Sequence, residues 1–242
     1  MADREAALMS VLEGVVDPTF MSDPTTPQGA AFSWLLNTDT GTDPCDSLQV
    51  VQRYALAVLY ESTNGDNWAV NNEWLSPFSV CEWYEVQCMN DGVTVEQLAL
   101  YDNNLNGTLP WELRALTSLR GFNVFFNSLV GTVPDYFSAW PNLILFDVEN
   151  NTLYGDPLGL LDRDTDLNDD MGTLLPDLRF FRISHNMFEG PFNPEAARQL
   201  SNIEHLWMAG NKYFGTIPTE IGLLVNLGTW EIFLKHSEVT IH

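Results

Sequence analysis

Leu98-Ala99-Leu100-Tyr101-Asp102-Asn103-Asn104-Leu105-Asn106-Gly107-Thr108-Leu109-Pro110 is the stretch on which the architecture turns, because its frame returns along the chain. Asn103, Asn127 and Asn151 follow one another at 24 residues, and Asn186 and Asn211 come 35 and 25 residues later. Five and three residues before each Asn stand Leu98 and Leu100, Phe122 and Val124, Phe146 and Val148, Phe181 and Ile183, Leu206 and Met208. Two residues after come Leu105, Leu129, Leu153, Phe188 and Tyr213, and four after come Gly107, Gly131, Gly155, Gly190 and Gly215. Pro110, Pro134 and Pro218 fall at plus seven. Self-similarity at such a period is the mark of stacked repeats.

Each column has a physical reason. Two apolar residues at spacing two make a short strand with one buried face. The Asn turns the chain inward, where its amide satisfies main-chain groups of the next turn that would otherwise be buried unpaired. Gly supplies a permissive backbone, and Pro ends the second extended stretch because it cannot donate to a continuing ladder. Leu113, Leu116 and Leu119 then close the turn. One unit buries too little apolar surface to offset the ordering of its own chain, so neighbours must stack into a solenoid that needs a cap at each end.

Composition narrows the partners. Of 242 residues 45% are hydrophobic, enough for a core, and 33 acidic against 10 basic residues leave a net charge of −23. That excess repels phosphate backbones and anionic leaflets, which excludes nucleic acid and acidic membranes as partners. No apolar stretch approaches the ~18 residues of a membrane span, so a membrane is reached only through a segment absent from this chain. The opening Met1-Ala2-Asp3-Arg4-Glu5 lacks the basic region of a secretory signal. Cys81 and Cys88 bracket a short loop around Trp83, a spacing compatible with a local disulfide or with two free thiols, and Cys45 has no evident mate.

The frame from Leu98 to Pro110 resembles the plant-type leucine-rich repeat, over residues 93 to about 232. Upstream, Tyr54-Ala-Leu-Ala-Val-Leu-Tyr60, Asn64-Gly65-Asp66-Asn67-Trp68, Trp74-Leu75 and Cys81-Glu-Trp83-Tyr-Glu-Val86-Gln-Cys88 are similar to that family's N-terminal cap. The family's usual Gly is replaced by Glu85, which bears on one turn of the cap. The resemblance implies an α/β fold: a right-handed solenoid of about five or six repeats with a concave parallel sheet and a helical N-terminal cap. It also implies a Cys81–Cys88 disulfide and a secreted or receptor-ectodomain setting, hence an extracellular or cell-surface location. Thr25 to Leu36 resembles the stretch before the cap in microalgal members.

The chain divides into a helical and linker segment over 1–45, the cap over 46–92, repeats over 93–235 with an insertion at about 156–175, and an irregular tail over 236–242. Helical patterns run over 3–16, 27–36 and 47–61, the second capped by Thr26 and the third by Ser47, with the linker 17–26 between the first two. At the far end Leu227, Trp230 and Ile232 begin a sixth repeat, but Lys235 holds the ladder position. We expect no C-terminal cap there and a truncated gene product.

Residues flanking the buried pairs project from the concave sheet and form stripes. These stripes carry Tyr101, Asn123, Phe125, Phe126, Asp147, Glu149, Phe180, Arg182, His205 and Trp207, and exposed rings in such numbers mark binding. The expected ligand is a protein, peptide or polysaccharide, bound without a cofactor or catalysis. Asp147 and Glu149 lie two apart on one strand, as glycosidase carboxylates could. An open sheet, however, offers no cleft to desolvate them, and Arg182 is placed to pair with Asp147. His185 and His205 read as surface histidines. Asp162, Asp164 and Asp166 alternate oxygen ligands within the insertion, but Leu167 and Thr173 break the calcium-loop pattern. The acceptors Asn106-Gly-Thr108 and Asn150-Asn-Thr152 are candidate glycosylation sites. An acidic, calcium-bridged matrix component is the alternative function, and a glycoside hydrolase a third.

Overall fold

The structure is a computed structural model, and it describes residues 2–161 and 174–231. Seven short strands make one sheet in chain order: Val86–Cys88, Val95–Ala99, Gly121–Asn123, Leu145–Asp147, Phe180–Arg182, His205–Trp207 and Thr229–Glu231. Only the first pair is antiparallel; every later neighbour is parallel. The register aligns Leu98 with Phe122, Phe122 with Phe146, Phe146 with Phe181, Phe181 with Leu206 and Leu206 with Trp230. The apolar column of the repeat is thus a physical column. Its three phenylalanines, Phe122, Phe146 and Phe181, stack with centroids 5.8 and 5.6 Å apart, all fully buried. Shorter outer ladders pair Asn106–Thr108 with Ser128–Val130, and join Tyr154–Gly155, Met187–Pro191 and Lys212–Phe214. The fold is the expected leucine-rich repeat solenoid.

The ladder amides show why the Asn recurs. Asn127 accepts from the N–H groups of Asn103 and Leu105 and donates to the carbonyls of Leu100 and Val124. Asn151 accepts from Leu129 N–H at 2.9 Å and donates to Val124 and Val148. Asn186 and Asn211 repeat the pattern with Leu153 and Phe188 as donors. Asn103, at the cap boundary, trades both bonds with Val70 instead. From Asn127 onward each amide therefore closes main-chain groups on two successive coils, which no apolar residue could do.

Four helices lead into the sheet: α1 Ala2–Leu12, α2 Pro18–Met21, α3 Pro27–Asn37 and α4 Ser47–Ser62. Thr26 caps α3 as expected, its hydroxyl accepting from Gly29 N–H. Three features differ from the sequence reading. Helix α1 stops at Leu12, ahead of Gly14 in the left-handed region, and the stretch 17–26 contains the turn of α2 under an Asp17 cap. Helix α4 is capped by Asp46, one residue earlier than expected, because its carboxylate takes both the Gln49 N–H and the Gln49 side-chain amide.

Helix α4 is buried from Gln52 to Tyr60 and covers the first coil. Gln52 reaches the sheet, donating to Val93 O and accepting from Val95 N–H. The leading segment packs on the cap. Arg53 forms a buried ion pair with Asp39 at 2.7 Å and donates to the carbonyls of Ser76 and Phe78. Its guanidinium lies 5.3 Å from the Trp34 ring and 5.2 Å from that of Trp83. Cys81 and Cys88 are bonded, with Cα atoms 5.6 Å apart, and Cys45 is an exposed free thiol. Glu85 adopts φ +59°, so the turn for which the family uses Gly is formed here with a side chain in the left-handed region. Among the described residues no helix is long and apolar enough to cross a membrane.

Candidate functional site

The parallel register builds the concave face in two ranks. Gly121, Leu145, Phe180, His205 and Thr229 stand side by side, as do Asn123, Asp147, Arg182, Trp207 and Glu231. Beyond the strand ends the coils stay aligned, since Asp102 N–H donates to Phe125 O and Phe126 N–H to Glu149 O. This brings Tyr101, Asn123, Phe125, Asp147, Glu149, Arg182 and Trp207 around one depression of about 310 Å³. The rings of Tyr101 and Phe125 form its wall, stacked with centroids 6.2 Å apart.

Arg182 is fixed at one end. Its guanidinium lies 4.4 Å from the Trp207 ring and 5.5 Å from that of Phe180, and Nη1 donates to Asp147 at 3.4 Å. Phe180 in turn stacks on His205 at 4.9 Å, and His205 and the Trp207 indole share the Thr229 hydroxyl as partner. Thr229 and Glu231 were not singled out in the sequence. The signal was present, because counting back six and four residues from Lys235 reaches them, just as counting back from Asn103 reaches Gln97 and Ala99.

Two expectations need correction. Asp147 is not an exposed ligand contact: it is 3% exposed, and its other oxygen accepts the Glu149 N–H at 3.2 Å. Its long neighbour Arg182 covers it, so its charge acts through that guanidinium. Second, the open sheet does desolvate its carboxylates. Burial raises the Asp147 carboxyl above its ordinary range against the pull of the Glu149 N–H and Arg182. Burial and then the Asp147 charge raise Glu149. Phe126 is exposed as expected, and its ring centroid lies 5.9 Å from that of Phe125. At φ +54° it turns 57% exposed toward the coil edge, where it lines a separate depression of about 530 Å³ with Asp102, Asn150 and His185. Phe125, Phe180 and Trp207 are half-buried, and Tyr101 is 49% exposed.

Of the glycosylation candidates, Asn106 is exposed, whereas Asn150 is half-buried and its amide donates to Glu149 Oε1 at 3.3 Å. Among the described residues no group of three or more His, Cys, Asp or Glu side chains could hold a metal ion. The calcium candidates Asp162, Asp164 and Asp166, the Lys235 ladder position and the tail 236–242 lie outside the described residues.

No protein-family model matches the chain. Receptor-like protein 36 of Arabidopsis thaliana is 33% identical over 116 residues, which is 48% of this chain and 14% of that relative, so the chain matches only a small part of a much longer protein. Among solved structures, the BIR3–SERK2 complex of Arabidopsis thaliana matches at 26% identity and a TM-score of 0.52, covering 64% of this chain and 77% of the other. The Arabidopsis receptor kinase HAESA, solved with the peptide hormone IDA and the co-receptor SERK1, matches at 26% identity and a TM-score of 0.54, covering 75% and 28% respectively. In sequence and in fold the chain is thus similar to plant receptor-like proteins and to the leucine-rich repeat ectodomains of plant receptors.

Proposed function

We propose that this plant-type leucine-rich repeat chain is a receptor-ectodomain-like recognition module at the cell surface, capturing a peptide or protein ligand on its concave face. One observation carries the reading: the Tyr101–Phe125 wall and Trp207 flank a depression whose charged floor is fixed by bonds to the sheet. Aromatic anchors beside oriented polar groups are the usual composition of a binding hot spot. Rigidity matters as much as composition, since a sheet held by buried amides loses little freedom on binding. Its similarity to HAESA, which was solved with a peptide hormone and a co-receptor, supports a ligand of that class.

The reading predicts that peptides selected from a random displayed library against the full chain lose about tenfold or more in affinity on Trp207→Ala or Phe125→Ala, with the unfolding midpoint little changed. Selected peptides that bind both variants as tightly as the wild type would remove the concave face from the function. An oligosaccharide array probed with the same proteins separates a polysaccharide ligand.

A further inference from the structure

Charges in the concave depression are not evenly satisfied. Arg182 is engaged, with the Phe180 and Trp207 rings within 5.5 Å and Nη1 on Asp147 at 3.4 Å, only its buried Nε lacking a partner, and Asp147 is itself buried. That pair is internally neutral. Glu149 is left over: it is half-buried, forms no ion pair among the described residues, and holds only the Asn150 amide at 3.3 Å. Beside it stand the Tyr101 and Phe125 rings, whose faces attract cations.

Resting on the concave-recognition reading above, we propose that this depression is a specificity pocket for one basic side chain of the peptide ligand, an arginine or a lysine. In it the cationic head pairs with Glu149 and the stem lies against Tyr101 and Phe125. Three observations favour this occupant. A volume of about 310 Å³ admits a single side chain and not a packed element. An acidic or C-terminal carboxylate group would meet an arginine already neutralised by Asp147 and would be repelled by Glu149. The whole chain, at −23, draws basic peptides and deters acidic ones before contact.

The test uses acetylated, amidated octapeptides taken from an unbiased library by selection on the full chain. Each basic residue is replaced in turn by citrulline or norleucine, which keep length and remove charge. For wild type, replacing the anchor residue should lower affinity about tenfold or more; on Glu149→Gln the same replacement should cost less than about threefold, because the charge it addressed is gone. Should Glu149→Gln fold poorly, Tyr101→Leu decides the matter: it removes an exposed ring, and the cost of citrulline should shrink there also. Selected peptides without basic residues, or equal citrulline costs on wild type and on the variants, overturn the pocket. If those same peptides still lose affinity on Trp207→Ala, the concave reading stands without it; if they do not, both fall.

Discussion

Glu85 holds φ +59° in the cap turn, and a non-glycine residue in that region costs ~1–2 kcal/mol. Replacing it by Gly relieves the clash while loosening the unfolded chain, so Glu85→Gly should stabilise the protein by about 0.5–1 kcal/mol in urea unfolding; a loss would show that the side chain has an unseen partner. The opposite sign holds at the ladder. Asn151→Ala strands Leu129 N–H in the interior, while Val124 O keeps the Asn127 amide, and one unpaired buried group predicts a loss of about 1–3 kcal/mol by the same measurement. Both positions were legible in the sequence, the Asn from its period and Glu85 from the glycine it replaces. The burial of Asp147 was not. A repeat column gives the direction of a side chain and not its depth, and depth here is set by Arg182 one coil away. The consequence is a pH dependence. Glu149 is raised by burial and by Asp147, with Glu231 acting in the same sense and His185 and Arg182 opposing. The folded state therefore holds its proton more tightly than the unfolded chain. The stability Glu149 contributes is complete below the unfolded carboxyl pKa of about 4.3 and is lost as pH rises through the raised folded value. Glu149→Gln, which cannot ionise, should accordingly gain on wild type as pH rises from about 4 toward neutrality. A difference that stays constant over that window would place Glu149 in water.

Among the elements, helix α4 was readable because its apolar residues recur at helical spacing, whereas the leading segment was read as helix and linker without a docking place. Besides its apolar packing, a buried ion pair docks it: Arg53 on α4 takes Asp39 from the stretch after α3 and lies within 5.3 Å of the rings of Trp34 of α3 and Trp83 of the disulfide loop. Arg4 adds bonds from α1 to the carbonyls of Leu35, Asp39 and Thr42. No periodicity announces an ion pair 14 residues apart in the chain. Nor does it distinguish Asp46 from Ser47 as the cap, since both residue types accept the same N–H and only the companion bond to Gln49 decides. Removing one partner of a buried pair leaves the other charge uncompensated, at a cost of about 3–5 kcal/mol. Arg53→Ala is therefore expected to release α1–α3 from the cap, measured as a drop of that size in unfolding free energy and as faster amide exchange over residues 2–45. Preserved protection there would mean that apolar packing of α3 on α4 suffices.

For the molecule as a whole, the decisive quantity is a charge of −23 spread along a one-dimensional stack. Three ion pairs that bridge successive coils, Arg120–Glu96, Arg179–Glu204 and Arg198–Glu220, involve substantially exposed arginines. Pairs of that kind contribute ~0–1 kcal/mol each, and salt weakens them. The unpaired acidic excess repels over longer range, and salt relieves it. Because the excess outnumbers the pairs, relief should win: raising ionic strength from about 0.01 M to 0.15 M contracts the Debye length from about 30 to 8 Å, and the thermal unfolding midpoint should rise. The same contraction should reduce the affinity of a basic peptide for the concave face, since its approach is drawn by the field that salt removes. Stability and binding are thus expected to move in opposite directions along one salt titration. A midpoint that falls together with the affinity would mean that the coil-bridging pairs outweigh the excess, and that the solenoid is held by its charges rather than in spite of them.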